Sequence, residues 1–108
     1  MSDEQDKYLI QLLLPLHDND RLAFPSEHFD IVRQTLTERF GGVTAFTRSP
    51  AVGLWKEGDD KLTHDEVVMF EVISGELDRD WWAEYRLKLQ KKFSQDELLV
   101  WASRITKL

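Results

Sequence analysis

The chain has 108 residues, a net charge of −6 and a pI near 5.0, with 42% hydrophobic and 31% charged residues. These values fit one folded domain with a single core. They argue against a binder of phosphate backbones or anionic lipid surfaces, and the lack of cysteine excludes disulfides, thiolate metal sites and cysteine nucleophiles.

Residues 1–7 are polar and acidic and read as a flexible N-terminal segment before a single domain over 8–108. No apolar leader follows a basic start, and the longest apolar stretch, Leu12–Leu16, is far too short to span a bilayer. The expectation is a cytoplasmic protein that engages neither membrane nor nucleic acid.

Tyr8–Leu16 (YLIQLLLPL) has the length and composition of a buried strand. Pro15 removes a ladder donor, so the strand should end there or reach an edge. His17–Arg21 is rich in turn formers and reads as a loop. Ser26–Phe40 reads as a helix, with Ser26 as its N-cap. Phe29, Val32, Leu36 and Phe40 recur at +3, +4 and +4 and form one apolar stripe. Ile31 falls on the opposite face, and this reading gives it no role. Gly41 and Gly42 supply the stop.

Val43–Arg48 alternates like a strand. Ala51–Trp55 continues it after a kink or opens a hairpin arm, and Lys56–Thr63 reads as a turn. His64–Ser74 (HDEVVMFEVIS) carries the clearest strand signal and Gly75 ends it. Asp80–Phe93 reads as the second helix, capped by Asp78 or Asp80. Trp82, Tyr85, Leu89 and Phe93 form its stripe. Its basic run, Arg86, Lys88, Lys91 and Lys92, reads as a solvated face near a helix C-terminus, where the dipole favours cations. Leu98–Ile105 is the last strand.

The predicted order is therefore βαββαβ. This is an α+β, ferredoxin-like pattern: a four-stranded antiparallel sheet with two helices on one face. The first and third strands are apolar on both faces. Ile10, Leu12 and Leu14 share a face, as do Val68, Phe70 and Val72. These two sets are the natural partners of the helix stripes. The other face is mostly apolar yet holds Gln11 and Glu71. A sheet face left to water is normally more polar. That face is therefore expected to be buried in a homodimer or to line a cavity.

The element order, the length and the two-faced central strands resemble the dimeric α+β barrel proteins. That group includes antibiotic-biosynthesis-type monooxygenases and muconolactone-isomerase-like enzymes. The resemblance covers nearly the whole chain and is architectural. It implies two sheets paired face to face around a ligand cleft.

Glu71 is the candidate catalytic group. Set between Met69 and Ile73, it is expected to be desolvated, an environment suited to a general base. The plainer role is an interface carboxylate paired with Gln11 or an arginine. Gln11, Met69, Trp55, Trp101 and Arg48 are the candidate ligand-binding residues. The two tryptophans would be cleft walls or ordinary interface filling. Arg48 and Arg104 could clamp a carboxylate. His64, Asp65 and Glu66 are consecutive on a strand, so only His64 and Glu66 share a face. Two ligands do not close a metal site, and neither a metal nor a cofactor is expected. Three functions fit: a small-molecule cleft, with or without catalysis; a protein-docking module with no chemistry; or a structural or accessory role in which the polar residues of that face only bridge subunits.

Overall fold

The computed structural model describes residues 6–48 and 66–108, with Arg48 described by its backbone alone. Its elements are β1 (Asp6–Pro15), α1 (Ser26–Phe40), β2 (Thr44–Arg48), β3 (Val67–Ser74), α2 (Arg79–Lys92) and β4 (Leu99–Thr106). The strands form one four-stranded sheet in the order β2-β3-β1-β4, and every pairing is antiparallel. This α+β arrangement is compatible with a ferredoxin-like fold. The segments predicted as Ala51–Trp55, the turn after it, and His64 and Asp65 lie outside the described residues.

The core forms where period two meets period 3.6. Ile10, Leu12 and Leu14 of β1 and Val68, Phe70 and Val72 of β3 project to one side. There they meet Phe29, Val32 and Leu36 of α1 and Trp82, Leu89 and Phe93 from α2 and its end. Leu14, Val32 and Phe93 are fully enclosed. Both helices therefore cover the same sheet face. Among the described residues no helix is long and apolar enough to cross a membrane.

Local signals explain the element ends, with three corrections. First, β1 begins at Asp6, two residues before the predicted start. The reason is β4, which continues to Thr106 and gives Asp6 and Lys7 register partners in Thr106 and Ile105. Second, Ser26 is not the cap of α1. Pro25 occupies the N-cap, with φ −58 and ψ 142, and no side chain caps the helix. Ser26 is already helical, so its hydroxyl is past the place from which it could accept from the next two turn amides. Third, α2 begins at Arg79, and the earlier of the two cap candidates is used. Asp78 Oδ1 accepts from the Trp81 amide at 3.1 Å.

Two other features work as expected. Gly41 closes α1 at φ 86, in the left-handed region, and its amide donates to the Thr37 carbonyl. Pro15 sits where its missing donor costs little. The Leu16 amide donates to the Glu66 carbonyl on the β3 side. Alternation then aims the position of Pro15 towards β4, whose pairing with β1 has already ended at Leu13–Leu99.

Candidate functional site

The face of the sheet turned away from the helices is built in rows. Register places Thr44, Glu71, Gln11 and Trp101 side by side across all four strands. The next row is Phe46, Met69, Leu13 and Leu99. On the other side lie Ile73, Leu9 and Ser103. A polar row is thus flanked by an apolar row on one side and by Ile73 and Leu9, with Ser103 at the edge, on the other.

The polar row is internally bonded. Trp101 Nε1 donates to Gln11 Oε1 at 2.5 Å. Gln11 Nε2 donates to Glu71 Oε2 at 2.7 Å and lies 3.4 Å from Met69 Sδ. An indole N–H can only donate. It therefore fixes the Gln11 amide with its oxygen towards Trp101 and its nitrogen towards Glu71. The chain of donors has one direction, from Trp101 through Gln11 to the carboxylate. Gln11 and Glu71 are both half-buried.

Four large apolar side chains on this face remain open to solvent: Phe46 at 38%, Ile73 at 56%, Leu99 at 41% and Trp101 at 44%. Met69, by contrast, is buried at 3%. The arrangement presents an apolar surface with one carboxylate near its middle. Such a carboxylate can accept a hydrogen bond or a proton from a small molecule lying over it.

The structure thus brings together four of the predicted site residues, Gln11, Met69, Glu71 and Trp101. Arg48 stands opposite Val67 in register, and its side chain is outside the description. Trp55 is outside it altogether. Arg104 does not belong to this face. It pairs in register with Tyr8, on the helix side of the sheet, with its guanidinium 6.0 Å from the Tyr8 ring and 3.5 Å from Asp6 Oδ2. It cannot clamp a ligand in the cleft. Sequence reasoning missed Phe46 and Leu99. Their parity was available, but the row they share with Met69 needs the register.

His28 has a structural role. Its ring stacks on Phe24 at 5.9 Å and meets Phe93 edge-on at 5.4 Å. Among the described residues no three His, Cys, Asp or Glu side chains converge as metal ligands would. No protein-family model, curated protein or solved structure matches this chain.

Proposed function

We propose that this chain is a ferredoxin-like unit that pairs with a second copy through its open sheet face. The two faces enclose a cleft for a small, planar or apolar molecule. The observation that carries this reading is the half-buried Gln11–Glu71 pair, bonded to Trp101, inside a frame of exposed Phe46, Ile73, Leu99 and Trp101. Exposed apolar side chains gathered on one face mark an interaction surface. The polar row inside them gives a ligand an orientation, as a few placed polar groups do in apolar pockets.

Within the cleft, Glu71 is the group that accepts a hydrogen bond from the ligand, and in a catalysed reaction it is the general base. Gln11 holds it, and Trp101 is both anchor for Gln11 and wall.

Native mass spectrometry of protein purified without added ligand tests this. A dimer carrying a discrete non-covalent adduct is the expected result. A clean monomer near 12.7 kDa at high micromolar concentration would overturn the pairing and favour the competing role, a docking surface for a different protein. A Glu71→Gln variant that keeps fold, ligand affinity and any turnover would remove the carboxylate from the account.

A further inference from the structure

On the other side of the molecule, α1 and α2 frame a groove of about 580 Å³, within the ~300–1,000 Å³ range of small-molecule sites. Val32 and Leu89, both buried, belong to its apolar lining, with Ile31, Trp81 and Tyr85. Ile31 is 47% exposed. It lies off the core stripe of α1, and the groove is what it faces. Trp81 and Tyr85 stack at 4.8 Å and form an aromatic end.

The charges along the groove are not evenly spread. Glu84 lies towards the aromatic end, and Lys88, Lys91 and Lys92 lie towards the C-terminus of α2. Two other charges are matched: Arg39 covers the Trp81 ring at 4.4 Å but is paired with Asp78 at 3.1 Å, and Asp30 is paired with Arg33; on α1, Glu27 and Glu38 stand one turn from Ile31 and Thr35 at the two ends of the groove. One end is therefore apolar, and the other carries three lysines that make no ion pair among the described residues, with Glu84 one turn from Lys88, on a chain whose net charge is −6. The carbonyl end of α2 disfavours an anion, but three ammonium groups outweigh its partial charge.

The aromatic end also holds one polar group, which an alkyl body would leave as it is. The Tyr85 hydroxyl is buried and has no hydrogen-bond partner among the described residues, a costly state for a polar group. Burial also pushes its phenol above the ordinary value, while the neighbouring Thr35 side chain acts in the opposite sense without reaching hydrogen-bond geometry.

We propose that this groove binds a small amphipathic carboxylate, its apolar body against Ile31, Trp81 and Tyr85 and its headgroup among Lys88, Lys91 and Lys92. The length is suitable. From Trp81 to Lys92 the helix rises about 16 Å, comparable with an extended twelve-carbon chain. The site is independent of the open sheet face and does not require a second copy.

Isothermal titration of the full chain with sodium dodecanoate, kept below micelle formation, tests the proposal. Dodecyltrimethylammonium, with the same tail and the opposite charge, is the comparison. Saturable binding of one dodecanoate per chain is expected, weakened by salt, and at least tenfold tighter than the cation. The exposed-surface variant Lys88→Gln/Lys91→Gln/Lys92→Gln should lose at least tenfold in affinity with an unchanged circular dichroism spectrum. Ile31→Glu should do the same. The absence of saturable binding, equal affinity for the cation, or full affinity in the triple variant would each overturn the proposal. So would loss of binding in Trp101→Gln with the lysine variant unaffected, because the amphiphile would then sit on the sheet.

Discussion

Phe93 is the side chain whose removal the fold should tolerate least. It is 0% exposed and closes α2, its amide donating to the Leu89 carbonyl. Its ring lies 5.0 Å from Phe24, 5.4 Å from His28 and 5.3 Å from Phe29. It therefore fastens the end of α2 to the start of α1 and to the segment before it. Truncating a buried Phe to Ala costs about 3–5 kcal/mol. With three aromatic neighbours lost as well, Phe93→Ala should fall at the upper end, about 4–5 kcal/mol. That is a large share of the roughly 5–15 kcal/mol that keeps such a domain folded. Phe93→Leu keeps much of the volume and should cost about 1–2 kcal/mol. Urea unfolding followed by tryptophan emission gives both values, read as a shift of midpoint at constant slope. Leu87→Ala, at 54% exposure, is the surface control and should stay within about 0.5 kcal/mol. A cost for Phe93→Ala under about 1.5 kcal/mol, or no larger than that of Phe93→Leu, would mean that the ring is not packed as described.

Removing the cap in Asp78→Ala should cost about 1 kcal/mol, whereas Asp78→Asn keeps an acceptor for the Trp81 amide and should cost clearly less. Both are read by thermal unfolding, and equal losses would mean that the exposed Arg39–Asp78 pair, not the cap, matters. Gly41→Ala must adopt φ near 86 and should lose about 1–2 kcal/mol; an unchanged midpoint would refute the strain. Tyr85 has a folded-state value raised above 10.0 by burial. Above pH 10 the unfolded chain releases this proton while the folded chain keeps it, so stability should fall as pH rises from there through the folded value. Tyr85→Phe should abolish that part of the alkaline loss, which chemical denaturation at pH 8 and pH 11 would compare. Gln11→Leu breaks the row and frees the Trp101 indole N–H. A changed Trp101 emission, isolated by subtraction against Trp101→Phe, is expected, and identical spectra would show that the row is not formed in solution.

The fold was legible where a period was long and uninterrupted. The stripes on both helices and the alternation in β1 and β3 named the core residues and separated the two sheet faces. Parity alone placed Gln11 and Glu71 on the same side. It did not place them side by side, nor bring Trp101 to them. Those facts depend on register, which is set between strands 60 and 90 residues apart. The same limit hid Arg104, whose place on the helix side follows from pairing with Tyr8. Ser26 misled because a cap preference is a property of one position, and Pro25 took that position. Ile31 and the lysines of α2 had no joint meaning in the sequence, since a groove between two helices has no period in either of them.

The placement of β1 has a consequence for how the protein is made. β1 is translated first and lies in the middle of the sheet, yet both strands that flank it come late. The partner of Gln11 on β3 is 60 residues away, and the partner on β4 is 90 away. At roughly 5–20 residues per second, β1 waits about 3–12 s for β3 and about 5–18 s for β4. During the first of these intervals YLIQLLLPL has neither neighbour strand, and of the helix layer only α1 has been made. Nascent chains of this protein should therefore present a greasy, extended segment at the ribosomal exit, of the kind that early-acting chaperones hold until the last strand arrives.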